Sequence, residues 1–323
     1  MREAVPRPTV GAEGVEGGAS SGRGRWLGMW RRGRHARWVR AGAVLMILLA
    51  AVLVLPRVLG VESDALSDAQ WEGPSLAHWM GTDANGRDLL ARVCEGTLVS
   101  LVVGLAGSLV SLVIGVAWGL VAGYLGGRWD GVMMRTVDVL YSMPSILFVI
   151  VMVTMFQGSV SEWLGSIAGR RGSEAAPIVF LILGLGGVSW LTMARIVRAR
   201  VLTLRRMPFM DAARALGAGP ARLLLRHLLP NSAGVIVVYL TLTIPAIVLG
   251  ESFLSFLGLG VQPPGASLGS LLADGAGQIN PLRTAWMPLA GPGTVLVALL
   301  LSLSLLGDGL RDLLDPLDRP KPE

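Results

Sequence analysis

Six long apolar runs constrain the fold of this chain more than any other feature. A helix rises about 1.5 Å per residue and needs about 20 residues to cross the hydrocarbon core of a bilayer. The runs are close to that length, whereas membrane β-barrels use alternating segments of about ten residues. We therefore predict an all-α integral membrane protein with six transmembrane helices, at residues 41–59, 98–125, 137–157, 177–193, 234–257 and 288–306.

The composition agrees with a membrane protein and offers little for chemistry. The chain is 52% hydrophobic and 15% charged, against about 25% charged residues in soluble domains. Cys94 is the only cysteine, and the three histidines lack metal-ligand spacing. The sequence contains no phosphate-binding loop and no hydrolase or metalloprotease motif. We therefore predict no catalytic residue, no metal site and no cofactor bound by this chain.

The distribution of charge predicts domain organisation and orientation. Residues 1–40 contain nine Arg and three Glu, which is typical of a disordered basic tail. Basic loops remain in the cytoplasm. Loop 194–233 has eight Arg and one Asp, whereas 60–97 has seven acidic residues and two Arg. Both termini are therefore predicted to be cytoplasmic. Loop 158–176 should lie outside in this arrangement, yet it contains Arg170 and Arg171. Two Glu in the same loop offset their positive charge.

These assignments divide the chain into four parts. They are the basic cytoplasmic tail, the first transmembrane helix with an extracytoplasmic loop, a five-helix core that contains the basic loop 194–233, and a cytoplasmic C-terminal tail, at 1–40, 41–97, 98–310 and 311–323.

The basic loop contains the stretch DAARALGAGPARLLLRHLLPN, residues 211–231. Pro208 suits the first turn of a short helix, and Asp211 lies in that turn, where the helix dipole favours a negative charge. Gly217 and Gly219 allow a sharp turn. Pro220 can begin a second helix, which Pro230 ends or bends before the next span. The pattern therefore predicts a helix, a turn and a second helix.

Three interpretations of this hairpin compete. It can be a solvated basic loop that fixes topology, a DNA-binding helix-turn-helix, or a docking site for a cytoplasmic partner. Membrane anchors on both flanks argue against DNA binding. The small residues Ala212, Ala213 and Gly217 let another surface approach closely, which favours docking. Arg222 and Arg226 share a helix face and can contact a partner or anionic lipid headgroups.

The hairpin resembles the cytoplasmic loop of ABC importer permeases, whose pattern is E-A-A, three residues, Gly, nine residues, I-x-L-P. Here Asp211-Ala212-Ala213, Gly217 and Pro230 have that spacing, with Asp in place of Glu. His227 stands where the pattern has Ile, as in the oligopeptide, dipeptide and nickel branch. Four further segments resemble that branch in order, so that the resemblance covers most of residues 78–316: MGTDANGRDLLARVCEGTLVSL, GYLGGRWDGVMMRTVDVLYSMP, ESFLSFLGLGVQPPGASLGSLL and LLGDGLRDLLDP.

The resemblance implies a fold, a function and partners. It implies the type I permease fold in a bacterial cell membrane, a second similar permease, two cytoplasmic ATPase subunits that use ATP and Mg²⁺, and an extracytoplasmic substrate-binding protein. The expected solute is a short peptide, with nickel or another small solute as alternatives. A secondary transporter and a membrane-anchored scaffold are the other classes considered. Expected coupling residues are Asp211, Ala212, Ala213, Leu216, Gly217, Ala218, His227 and Pro230.

Polar residues outside the hairpin give two further candidate sites. A carboxylate within a span is costly and often functional, so Glu251, with Ser252 and Ser255, is a candidate for the solute path. GTDANGRD lacks the rest of a calcium loop. Its acidic and basic residues are therefore expected to form a fixed turn or to contact the binding protein: Asp83, Arg87 and Asp88. A local pair with Arg135 is expected for Asp138.

Overall fold

A computed structural model of the chain describes residues 39–51, 54, 60, 63, 65–263, 265–278 and 286–314. Across these residues the regular structure is helical, and a π-helical turn at Leu223–Leu228 precedes α7. The helices are α1 Val39–Ala51, α2 Leu89–Leu125, α3 Gly127–Tyr141, α4 Ser145–Leu204, α5 Pro208–Ala215, α6 Pro220–Arg222, α7 Leu229–Phe256, α8 Leu268–Gly277 and α9 Met287–Leu314.

Five helical stretches in the described part are long and apolar enough to cross a membrane. They correspond to the second to sixth predicted spans and confirm the all-α membrane fold. The first predicted span, 41–59, lies partly outside the described residues, where Val39–Ala51 forms a shorter apolar helix. Most of the predicted tail 1–40 and residues 315–323 also lie outside them. The five spans are Leu89–Leu125, Ser145–Arg170, Ala175–Leu204, Pro220–Phe256 and Met287–Asp312.

Several boundaries differ from the prediction. The third span begins at Ser145 and not at 137, because residues 127–141 form a separate 15-residue helix, α3. The expected loop 158–176 is helical on both sides of a break at Gly169, whose φ of 61° is a left-handed conformation that glycine adopts without strain. For the five spans in the described residues, hydropathy therefore predicted their presence better than their ends.

A seam of small residues joins α2 to the second half of α4. Gly107, Gly115, Gly119 and Gly123 recur at multiples of four residues along α2 and are buried. A Cβ at Gly119 would lie 2.6 Å from the Ala194 carbonyl oxygen. Such close approach is how membrane helices gain packing energy where the lipid is as apolar as the side chains. The two helices run parallel, since Gly107 meets Ile182 and Gly123 meets Val201.

The bundle has two distinct ends. The loop end holds residues 65–88 and α8; there Gly291, near the start of α9, approaches Met80. The hairpin end holds residues 205–228, which follow α4 directly. Gly309 of α9 approaches Val39 of α1. The described beginning of α1 and the end of α9 therefore lie together, towards the hairpin end.

Helix α3 is fixed to the second half of α4 by two ion pairs. Arg198 meets both carboxylate oxygens of Asp130, at 2.5 and 2.6 Å. Arg195 donates to Asp138 at 2.8 Å. The predicted pairing of Asp138 with Arg135 was therefore wrong, because the Asp138 carboxylate pairs with Arg195 of a different helix. Sequence proximity suggested the local pair, but the turn that follows α3 brings α4 within reach.

Candidate functional sites at the two ends of the bundle

The hairpin begins with α5, an eight-residue helix with Pro208 in its first turn. The residue before it, Met207, has an extended backbone, and no side chain caps the helix. Asp211 accepts a hydrogen bond from the Arg214 guanidinium at 2.7 Å, and its side chain is 72% exposed. One carboxylate oxygen is thus engaged within the hairpin. Asp211 lies in the first turn of α5, as predicted.

Gly217 ends α5 in a Schellman motif. Its φ is +79°, the Gly217 N–H donates to the Arg214 carbonyl at 2.9 Å, and the Ala218 N–H donates to the Ala213 carbonyl at 3.0 Å. These are the two bonds of that motif, and its left-handed residue is usually glycine. The predicted turn is therefore confirmed in atomic detail, and it fixes the direction in which the chain leaves the helix.

The two faces of α5 have opposite environments. Met210 and Ala213 are buried in a core cluster with residues of α2, α4 and α7, among them Leu120, Val201 and Ile236. Ala212, Asp211 and Leu216 are exposed, and Leu216 has 87% of its surface accessible. The helix is anchored by one face and presents small and apolar residues on the other.

The chain returns to the bundle through the π-helical turn Leu223–Leu228. Pro230 lies in the first turn of α7, has no N–H, and its ring would clash with the carbonyl one α-turn earlier. The wider π turn precedes this position, as π-bulges often do at functional sites. The His227 carbonyl accepts from the Asn231 amide at 2.6 Å. His227 and Pro230 thus shape the junction between hairpin and span.

At the loop end, Asp83 is the centre of a buried polar cluster. One oxygen accepts from the backbone N–H groups of Asn85 and Arg87, at 2.8 and 2.9 Å. The other accepts from the side chains of Arg87 and Arg92, both at 2.9 Å. Arg92 also lies 3.5 Å from Asp274 of α8. The cluster therefore ties loop 65–88 to both α2 and α8.

The same turn caps α2. Asp88 accepts from the Ala91 N–H at 2.8 Å and lies 2.9 Å from His78 Nδ1. Gly86 has a φ of +76°, and a Cβ there would collide with the Ser67 carbonyl oxygen. The fixed turn expected for GTDANGRD is confirmed. Asp83 and Asp88 are buried, so the exposed surface beside them belongs to other residues, such as Leu76 and Trp79.

Hydrogen bonding also sets the acidity of Asp83. Burial alone would raise the pKa of its carboxyl group, but the hydrogen bonds from Arg87 and Asn85 and the Arg87 charge outweigh it. The pKa of Asp83 therefore lies below its ordinary value, and the carboxylate is ionised at neutral pH.

Glu251 lies in the interior of the bundle, at the contact of α7 with α2. Its side chain is fully buried, and hydroxyl groups surround it: Ser100 donates at 2.6 Å, Ser255 at 2.7 Å and Ser252 at 3.3 Å. The three residues proposed from the sequence for the solute path are thus together, joined by Ser100, which the sequence did not single out. In this conformation they link two helices.

A hydroxyl-rich cleft of about 430 Å³ was missed by the sequence reasoning. It lies between the α3–α4 turn, the second half of α4, and α7. Its hydroxyl residues come from three separated stretches of the chain, and only the i, i+4 spacing of Tyr239 and Thr243 hinted at a polar face. We call it the hydroxyl cleft; its hydroxyl-bearing residues are Tyr141, Ser145, Ser189, Thr192, Tyr239 and Thr243.

Together these features define a class: a multi-spanning helical membrane protein with a hydrogen-bonded loop at one end and a short helical hairpin at the other. Among the described residues no group of three or more His, Cys, Asp or Glu side chains is placed to hold a metal ion. The chain belongs to the family described as "Binding-protein-dependent transport system inner membrane component", whose model matches residues 115–318. The ABC permease resemblance is therefore confirmed.

Individual relatives extend the match over most of the chain. The oligopeptide transport system permease protein OppC of Escherichia coli K12 is 43% identical over 92% of this chain and 93% of its own. The dipeptide transport system permease protein DppC of Bacillus subtilis 168 is 38% identical over 89% and 84%. OppC of Haemophilus influenzae is 37% identical over 95% and 94%.

A solved structure supports the fold alone. The MetNI methionine ABC transporter, in an inward-facing conformation, aligns with a TM-score of 0.51 at 20% identity, covering 69% of this chain and 96% of that one. The fold is therefore that of a type I ABC importer permease. Subunits of this kind are not enzymes, because the ATPase resides in a separate subunit.

Proposed function

We propose that this chain is one of two permease subunits of an ATP-driven importer of short peptides in the bacterial inner membrane. Relatives named as oligopeptide and dipeptide permeases, similar over nearly the whole chain, support the peptide substrate and favour it over nickel. The observation that carries the coupling role is the hairpin, whose anchored inner face and exposed Leu216 suit a docking contact.

The remaining subunits follow from this proposal. The eight Arg of 194–233 support a cytoplasmic hairpin end, and there two ATPase subunits that use ATP and Mg²⁺ would dock. The loop end then faces outward and meets a substrate-binding protein. Asp83, Arg87 and Asp88 hold that surface in shape from beneath. Both chain termini are cytoplasmic, and lipid headgroups contact the basic loop.

The hairpin can transmit motion because it is short and doubly anchored. Met210 and Ala213 bind it to the ends of α2 and α4, and the π turn joins it to α7. Closure of an ATPase against Leu216 and Ala212 would therefore displace three helices together. Alternating access needs such rigid-body movement of packed helices around a path.

Leu216→Arg tests the docking role. Because Leu216 is exposed, the variant should insert and fold, yet an arginine in an apolar contact should weaken ATPase binding by about tenfold or more, or about 1.4 kcal/mol. Co-purification of the ATPase subunits and ATP turnover stimulated by the peptide-loaded binding protein measure this. Leu216→Met is the matched control and should retain both. Full stimulation in Leu216→Arg would exclude this face as the contact.

Uptake into proteoliposomes that contain the whole assembly tests the substrate. A labelled tripeptide should accumulate with ATP and the binding protein, and Ni²⁺ should not compete. Accumulation of nickel without peptide uptake would contradict the peptide assignment and leave the coupling role intact.

A further inference from the structure

The hydroxyl cleft has polar groups that the chain itself does not fully use. Ser189 donates to the Leu185 carbonyl and Thr243 to the Tyr239 carbonyl, each at 2.8 Å, as hydroxyls in membrane helices commonly do. A tyrosine hydroxyl lies too far from its own backbone for such a bond. The Tyr239 hydroxyl is within reach of Thr192 and Thr243, whereas Tyr141 is half exposed. Phenolic hydroxyls at such sites need a polar partner.

Helix periodicity turns the cleft residues of α7 away from Glu251. At about 100° per residue, Thr243, Tyr239 and Leu242 are turned about 80°, 120° and 180° from it. Thr243 is buried, whereas Leu242, Leu249 and Phe253 are exposed. The cleft therefore extends from the buried flank of α7 to the face that the described chain leaves open.

The cleft is polar without being charged. None of its described lining residues is acidic or basic; they are hydroxyl-bearing and apolar. The nearest cation we identify is the Arg195 guanidinium, which lies 4.2 Å above the centre of the Tyr141 ring and is paired with Asp138. Hydroxyl groups both donate and accept hydrogen bonds. They can therefore satisfy peptide N–H and C=O groups regardless of the charge on the side chains.

We propose that the hydroxyl cleft is this chain's wall of the solute path, and that it binds the main-chain amides of a passing peptide. This rests on the proposed import function and replaces the Glu251 side of α7 as the surface that meets solute. A lining of neutral hydroxyls suits an importer that accepts varied side chains, since each residue of any peptide repeats the same amide groups.

Cysteine accessibility tests the location. In a Cys94→Ala background, Thr192→Cys and Tyr141→Cys are examined in the complete assembly in lipid nanodiscs with a charged methanethiosulfonate reagent. A thiol in a hydrated path should react at least about tenfold faster than one facing lipid or core. The matched controls are Val113→Cys, exposed on α2, and Ser100→Cys, buried beside Glu251. Cleft cysteines that react as slowly as Val113→Cys would overturn the location.

Protection by peptide tests the ligand. Trialanine delivered by the binding protein should slow modification of Thr192→Cys at least about twofold, and trilysine should protect equally. Unchanged modification, or protection by only one peptide, would overturn the amide-binding role.

Thr192→Val should lower uptake of both peptides by a similar factor, and Thr192→Ser should restore it. Peptide uptake by the Cys94→Ala parent is measured separately. If uptake is normal but the cleft cysteines are unreactive, only the assignment of the cleft to the solute path is rejected. If there is no peptide uptake, the import function is rejected as well.

Discussion

The two ends of the bundle use the same residue types for different purposes. Asp83 and Asp211 each lie near an arginine three or four residues on and near a glycine with positive φ. Asp83 accepts four hydrogen bonds and is 4% exposed. Asp211 accepts one from Arg214 and projects from the surface. The loop end thus commits its polar groups to the chain, whereas the hairpin leaves them available to a partner.

The largest expected effect comes from Asp83→Ala. It leaves Arg92 buried without its closest carboxylate, and removal of one partner of a buried pair costs about 3–5 kcal/mol. Asp211→Ala is the matched control and should cost less than about 1 kcal/mol, as exposed pairs do. Unfolding in mixed dodecylmaltoside and SDS micelles measures both free energies of unfolding. Equal losses in the two variants would contradict the contrast between the ends.

The two glycines give a smaller contrast. A left-handed non-glycine residue costs about 1–2 kcal/mol, and Gly217→Ala should lose only this because open space surrounds it. Gly86→Ala should lose about 1–3 kcal/mol more, since its Cβ meets the Ser67 carbonyl oxygen. The same micelle titration ranks the two variants. A larger loss at Gly217 would show that the hairpin turn is the more tightly packed of the two.

The smallest effect is a pH dependence confined to the loop end. The pKa of Asp83 is held below its ordinary value, so its stabilisation is complete above about pH 4 and is lost as pH falls through the folded pKa. The difference in unfolding free energy between wild type and Asp83→Asn should therefore shrink below about pH 4. Asp68→Asn, in the exposed part of the same loop, is the control. A difference that stayed constant down to about pH 2 would contradict the ionised assignment.

Local sequence patterns predicted many of the helices and turns of this fold. Apolar runs gave the spans, Pro208 and Gly217 gave the ends of α5, and GTDANGRD gave a fixed turn. The start of α2 was placed nine residues late because hydropathy discounts a segment with Arg92, whose charge is paired in the fold. Helix α3 was missed because its ion-pair partners lie on α4, about 60 residues away.

The orientation of α7 could not be predicted from its sequence. Its apolar residues occur all round the helix, and such a helix carries no signal for which face is buried. Glu251 drew attention as a charged residue, but three serines and α2 enclose it. The hydroxyl cleft depends on three separated stretches meeting in space, which no single window of sequence displays.

The glycine seam between α2 and α4 has a mechanical consequence. Because Gly115, Gly119 and Gly123 let α2 pack directly against α4, the pair has little slack to absorb a push. Helix α4 leads into α5 within three residues. A displacement delivered at the hairpin would thus travel up two helices as through one stiff rod. Bulkier residues along this seam would separate α2 from α4 and weaken the transmission of movement from the hairpin.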